Sequence, residues 1–335
     1  MARLVVNADE GRQTATQAPL TVLLDRWWEH KERRLSPTTA EEYRWLLDRR
    51  IRPDLGRVKL GRLTAAELDA YYLRLERAGL SPSSIRQVHA LLSGALKQAV
   101  KWRWISMNPA RDATLPSARR SRIHPPSPAK VRALMKSAEE HSPEMGLFIR
   151  LAALLGARRG EVCGLQWEDF DEPAGTIQLR RGVVEVGGSL LVKDTKTHAE
   201  RAIALDPATI ALLRAHRTYT EDRAAACGTV IMPGAFILSH SPDGSKPMRP
   251  DRATDVFRRL RHDVGLDTAR LHDLRHFVAT QLIGAGHDIR TVSGRLGHAQ
   301  TSTTLNTYTA FLGVRDRDAA NQLATLLEPE HEQTN

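Results

Sequence analysis

Three features of the sequence predict a mainly α protein with a small antiparallel β-sheet, arranged as an N-terminal all-α bundle followed by a mixed α/β, mostly helical domain. Apolar residues recur every three or four positions along most of the chain, the period of a helix with one buried face. A single interval, residues 175–205, breaks instead into short β-prone segments. The positive charge is also lopsided: residues 1–124 carry 23 Lys and Arg against 13 Asp and Glu, whereas residues 125–335 carry 26 of each. With 335 residues, 41% of them hydrophobic, the chain can fill two cores.

Residues 1–18 are polar and aperiodic and read as a loose tail. The first helix starts at Leu20, where Leu-Thr-Val-Leu-Leu-Asp-Arg-Trp-Trp carries an apolar stripe. Ser36-Pro37 opens a second, with proline at the first position, where no intrahelical N–H is lost. Thr64 followed by Glu67 gives the capping-box pattern of a third. Ser81-Pro82 opens a fourth, whose apolar face is Ile85, Val88, Leu92, Leu96, Ala99 and Val100. Together these predict a bundle over residues 19–113. A linker over 114–128 holds Pro116, Pro125, Pro126 and Pro128 with Arg119, Arg120 and Arg122. The second domain, 129–312, begins with helical patterns at about 129–140 and 143–155. The β interval follows as Thr176-Ile-Gln-Leu, Val183-Val-Glu-Val, Leu190-Leu-Val and Ala202-Ile-Ala-Leu, expected to form one small sheet. Helices resume near Pro207, pause from Pro233 to Pro250 and continue to about Leu327, so that residues 313–335 supply a C-terminal amphipathic helix and tail.

No apolar run approaches the ~20 residues of a membrane span. The N-terminus meets Asp9 and Glu10 before any apolar signal segment can develop. A cytoplasmic protein without a membrane partner is therefore expected. Cys163 and Cys227 lack the spacing of a zinc site or a disulfide framework, and both are expected as buried thiols. A basic bundle beside a neutral domain suggests that the first holds a polyanion while the second acts locally. On the fourth helix, Arg86, Lys97 and Lys101 lie off the apolar stripe and could meet phosphates. A solvated helix face explains each of them equally well, and the linker arginines have the same two readings.

Four clusters in the second domain offer groups suited to a phosphodiester and no metal ligands. They are Gly156-Ala157-Arg158-Arg159-Gly160-Glu161, Thr195-Lys196-Thr197-His198, Leu271-His272-Asp273-Leu274-Arg275-His276, and the run from Leu296-Gly297-His298 to Tyr308. His272 and Arg275, three apart on a helix, share a face and can reach one phosphate together. Arginine suits that task because its planar fork is always charged and donates two hydrogen bonds to phosphate oxygens. Each of these residues alone would be better explained structurally. Arg159, His276 and Asp273 keep that structural explanation.

Taken together the clusters resemble the tyrosine recombinase, or phage integrase, family. The family pattern is an arginine with an acid three residues on, a lysine in a hairpin turn, a His-x-x-Arg pair, a Leu-Gly-His and a tyrosine ten residues later. This sequence supplies Arg158 with Glu161, Lys196, His272 with Arg275, Leu296-Gly297-His298 and Tyr308 in that order. Two details depart from the pattern: Tyr308-Thr309-Ala310 lacks a histidine two residues after the tyrosine, and Leu155-Gly156 stands where Thr-Gly is usual.

The resemblance implies a site-specific recombinase that needs no metal or nucleotide cofactor. Tyr308 would attack a DNA phosphodiester and form a 3′-phosphotyrosyl link that conserves the bond energy. Arg158 and Arg275 would compensate the charge on the non-bridging oxygens. His272 would accept the phenol proton, Lys196 would protonate the departing 5′-oxygen and His298 would bond a phosphate oxygen. Glu161 is expected to brace the arginine or histidine side chains. Double-stranded DNA is the expected partner, gripped between the two domains, with four protomers on two paired sites and a C-terminal helix docked on a neighbouring subunit. Accessory DNA-bending or directionality proteins are further candidates. The rivals are a type IB topoisomerase, which shares the nucleophile chemistry, and a non-catalytic DNA-binding regulator.

Overall fold

A computed structural model describes residues 17–117, 124–194 and 200–312, together with 320 and 323–324. The chain divides into two compact units, Met1–Ser121 and Arg122–Asn335. Arg119, Arg120, Arg122, Lys196 and nearly all of the expected C-terminal helix lie outside the described residues.

The first unit contains α1 (Leu20–Glu32), α2 (Pro37–Leu46), the short α3 (Arg52–Leu55), α4 (Ala65–Arg77) and α5 (Pro82–Lys101). The cap residues act as their chemistry dictates, each hydroxyl accepting an N–H that the helix cannot satisfy. Ser36 accepts from the Thr39 N–H, Thr64 from Glu67 and Ser81 from Ser84. Between α2 and α3 the chain widens into a π-type turn over Leu47–Ile51, where the Arg52 N–H reaches back five residues to the Leu47 carbonyl. Pro53 has no N–H to continue the ordinary ladder, so the register shifts there instead of breaking. Leu20, Leu24, Ile51, Leu68, Tyr71, Leu92 and Leu96 fill the core. Arg26 lies over both Trp102 and Trp104, 5.5 Å from each ring, and ties α1 to the end of α5.

The second unit opens with α6 (Pro128–His141) and α7 (Pro143–Leu155), capped by Ser127 and Ser142. Helix α7 is apolar nearly all round, and Leu147, Phe148, Ile149 and Leu151 are fully enclosed, which makes it the central element of this core. After α8 (Arg159–Cys163) come β1 (Phe170–Asp171), β2 (Thr176–Leu179), β3 (Arg181–Val186), β4 (Ser189–Asp194) and β5 (Arg201–Ala204). Strand β1, which the sequence pattern does not mark, pairs antiparallel with one edge of β2 while β5 takes the other. Both edges of β2 are thus occupied, so β3 and β4 form a separate antiparallel hairpin with Val183 opposite Val192. The single sheet expected from sequence is therefore two. The strands flanking Lys196 lie in different sheets, not in one hairpin.

Helix α9 (Pro207–Ala226) is followed by a long loop and then α10 (Pro250–Asp263), α11 (Asp273–Gly284), α12 (Ile289–Leu296) and α13 (Thr301–Leu312). Arg223 fastens the loop by donating to the Ser239 and Ser241 carbonyls and to Glu144. Cys163 is buried as expected, but Cys227 is exposed because it caps α9 in the turn leaving the helix. Ala279 and Ile283 of α11, Val292 and Leu296 of α12 and Tyr308 of α13 make a small core of their own. Among the described residues no helix is long and apolar enough to cross a membrane.

Phe148→Ala should cost about 3–5 kcal/mol, because it empties the centre of the larger core. A urea titration should show the midpoint falling, and a loss under about 1 kcal/mol would deny α7 its central place.

Candidate active site

The site is assembled where α7 stops. Gly156 adopts a left-handed conformation that terminates the helix, and the chain re-enters a helix at α8 with Arg158 in the cap position. Glu161, three residues on, accepts the Arg158 backbone N–H at 2.8 Å and its Nη1 at 2.9 Å. Half of the Arg158 side chain stays open to solvent, whereas Glu161 is almost completely enclosed.

The second Glu161 oxygen also accepts from Arg201 Nη2 at 2.8 Å. Arg201 projects from β5, is 10% exposed, and donates its Nε to the Arg295 carbonyl. Burial alone would raise the Glu161 pKa, but the bond and charge of Arg201, followed by those of Arg158, hold it below the ordinary glutamate value. Gly297, which ends α12, is left-handed, and a Cβ there would lie 2.5 Å from the Arg201 guanidinium. Glycine is required at that turn on both counts. His298 follows it directly.

Arg275, in the first turn of α11, is 3% exposed. Its Nη1 donates to the Gly156 carbonyl at 2.6 Å, while Nη2 is buried with no acceptor among the described residues. Burial and then the nearby Arg158 lower its pKa to about 10, so it remains cationic at neutral pH. An enclosed guanidinium with an unsatisfied donor is costly unless an anion completes it.

The histidines are neutral at that pH. Burial and then Arg275, Arg158 and Arg201 bring the His298 pKa to about 4. Its Nδ1 shares a 2.7 Å hydrogen bond with Thr304 Oγ1, a hydroxyl from fully buried Thr304 on α13. When Thr304 donates, His298 Nε2 carries the proton and can donate to a phosphate oxygen. His272 stands immediately before α11 and keeps an open face to solvent, yet burial of the rest of the ring, then His276 and Arg275, bring its pKa to about 4 as well.

Tyr308 is 1% exposed. Burial, opposed by Arg275, raises its pKa to about 12. Its hydroxyl is 2.7 Å from His276 Nδ1, with the rings edge to face, and the His276 ring in turn stands edge-on to His272 at 4.9 Å. His276, for which the sequence suggests a structural role, thus bonds the Tyr308 hydroxyl and packs against His272. A hint was present: His276 follows His272 by four residues, the spacing that aligns two side chains on a helix. Arg201 had a weaker signal, a lone cation in the otherwise apolar run Arg-Ala-Ile-Ala.

Arg159 and Asp273 have structural partners: Arg159 bonds Asp251 and Thr254, and Asp273 accepts the Arg270 N–H. In the first unit, Arg86, Lys97 and Lys101 are exposed, and Arg86 donates to the Pro116 carbonyl at 2.9 Å. Among the described residues no group of three His, Cys, Asp or Glu side chains could hold a metal ion.

A phenol on one helix, with two arginines and a set of neutral histidines at or beside the ends of others in a mostly helical domain, fits the class of tyrosine recombinases. The model of the phage integrase family matches residues 127–312, and that of the phage integrase N-terminal SAM-like domain matches residues 20–75. The chain belongs to the phage integrase family. It is 26% identical to the integrase of Mycobacterium phage L5, over 95% of this chain and 82% of that one. The Tn1549 transposon integrase, solved in complex with transposon right end DNA, shares the fold with a TM-score of 0.76 at 21% identity, over 91% of this chain and 99% of that one. A lambda integrase tetramer bound to a Holliday junction has a TM-score of 0.66 at 19% identity, over 86% of this chain and 77% of that one.

Glu161→Ala leaves Arg201 buried without its counter-charge and should cost about 3–5 kcal/mol at neutral pH. The folded pKa lies below the unfolded one, so this contribution is complete above the ordinary glutamate value of about 4.3 and is lost as pH falls through the depressed one. Urea unfolding of both proteins from neutral pH to about pH 3 should show the stability gap closing on the acid side. A gap that ignores pH would mean that shape, and not charge, sets the role of Glu161.

Proposed function

We propose that this chain cuts and rejoins double-stranded DNA at specific sites, with Tyr308 as nucleophile. The observation that carries the reading is the buried, unsatisfied Nη2 of Arg275. Arg275 is near enough to Arg158, Glu161, Arg201 and Tyr308 to feel the charge of each. Such a donor suits a phosphodiester, whose oxygens accept from a planar fork.

In the reaction, Tyr308 Oη attacks phosphorus and the 5′-oxygen leaves, so the strand stays attached through a 3′-phosphotyrosyl bond. Arg158 and Arg275 bind the non-bridging oxygens as negative charge builds on them, and His298 donates a further hydrogen bond. The phenol proton passes to the His272–His276 pair. Lys196 protonates the leaving oxygen. Attack by a second DNA hydroxyl reverses each step on a new strand. The basic helical unit, residues 19–113, grips the duplex electrostatically, with Arg86, Lys97, Lys101 and the linker cations Arg119, Arg120 and Arg122 meeting phosphates. Four protomers on two paired sites exchange the strands, as the lambda integrase tetramer suggests. Work on DNA holds the protein at the nucleoid.

Incubation with a nicked suicide duplex, carrying the site that the protein selects from a randomised pool, should trap a covalent adduct on the 3′-phosphate. Tyr308→Phe should abolish the adduct, and Arg275→Lys, which keeps charge but loses the planar fork, should slow it by about 10²–10³-fold. Binding without an adduct would overturn the reading, as would relaxation of supercoils without site preference.

A further inference from the structure

We propose, resting on the recombinase reading above, that His276 is the immediate acceptor of the Tyr308 proton and so a catalytic residue of the cleavage step. The phenol is almost completely shut off from solvent, so its proton must leave through a group of the protein. His276 Nδ1 is at 2.7 Å, within the range of a short hydrogen bond to the reacting oxygen. His272 approaches the His276 ring edge-on, with 4.9 Å between the ring centres.

The surroundings suit a base. Burial lowers the His276 pKa, which keeps the ring neutral and able to accept at neutral pH. The charged and titratable groups around it are Asp273, Arg270, Arg275, His272 and Tyr308 itself. Asp273, one helical turn before it, favours the imidazolium once the proton arrives, and the two arginines oppose it. The ring is therefore loaded only transiently, as a base that must return its proton requires. The step balances: the Tyr308 O–H bond breaks with its proton passing to Nδ1, the Oη–phosphorus bond forms, and the bond from phosphorus to the 5′-oxygen breaks. The departing oxygen takes a proton from the Lys196 ammonium. Rejoining runs the same transfers backwards, so no further reactant is consumed.

The test follows single-turnover adduct formation by the full chain on the nicked suicide duplex carrying its selected site. Tyr308→Phe is the control for the underlying reading: an adduct with the native protein and none with this variant keeps the recombinase chemistry in place whatever happens at His276. His276→Asn retains an oxygen acceptor close to the place of Nδ1 but cannot take a proton. It should slow the adduct by about 10²-fold or more without weakening duplex binding, and His276→Ala should do the same. In the native protein the rate should level off once the imidazole is deprotonated. In His276→Asn it should instead keep climbing, about tenfold per pH unit, because hydroxide becomes the acceptor. His276 is only half-buried, so its loss leaves the cores filled, and the binding measurement reports folding directly. Native rates in both variants would overturn the proposal. Faster rates would overturn it in favour of a latch that restrains the nucleophile. A plateau that survives in His276→Asn but vanishes in His272→Asn would move the role to His272.

Discussion

A single enclosed carboxylate holds this site together. Glu161 receives the Arg158 backbone and side chain on one side and Arg201 on the other. Through Arg201 it also reaches the Arg295 carbonyl and the turn that sets His298. Three cations gather around one anion, counting Arg275, whose pKa is pulled down by burial and by Arg158. The balance is left positive in a poorly solvated place. A phosphodiester bound there would supply the missing negative charge, and it would meet the Arg275 fork where water is excluded. An anion with acceptors for the buried Arg275 fork would satisfy this arrangement.

Tyr308, the proposed nucleophile, is subject to an opposite constraint. Tyr308 belongs to a small satellite core with Ala279, Ile283, Val292 and Leu296, set apart from the main core of the second unit. A handful of apolar side chains holds α13 in place, and such peripheral clusters are the ones that open at low free-energy cost. Packing raises the phenol pKa to about 12, which protects the tyrosine from idle reaction. The same helix carries Thr304, which orients His298. Any movement of α13 therefore shifts Tyr308 and the Thr304 hydroxyl that orients His298 together.

Much of this was legible in the chain itself. The serine and threonine caps, two of them followed by proline, marked the starts of α2, α4 and α5, because an orphan N–H at a helix start has few other partners. Arg158, Glu161, His272, Arg275, His298 and Tyr308 stand out by residue type and order, and the structure carries them on the ends of α7, α8, α11 and α12 and on α13. What escaped was what depends on pairing across the fold. Two residues of β1 were too few to show a period, yet they occupy an edge of β2 and so split the expected sheet in two. Arg201 looks like an ordinary strand cation until Glu161 arrives from forty residues away. His276 looks like a packed ring until α13 brings Tyr308 to it from thirty-two residues further on. Cys227 misled in the other direction, since an apolar residue type says nothing about a helix that ends beneath it.

The separation of tasks between the units follows from where charge can be tolerated. The first unit carries its excess cations on exposed faces, where water and salt screen them and each contributes little to a fixed geometry. Such charges can attract a polyanion of any sequence, but they cannot place one phosphorus to within a bond length of an oxygen. The second unit, whose acidic and basic residues nearly balance, does the reverse: it buries two arginines and pins them with the Gly156 carbonyl and the Glu161 carboxylate. Fixed geometry is what in-line attack requires, because a misplacement of about 1 Å can cost on the order of 10²-fold in rate. The neutral domain is therefore where the chemistry belongs, and the basic one can supply affinity without having to supply precision.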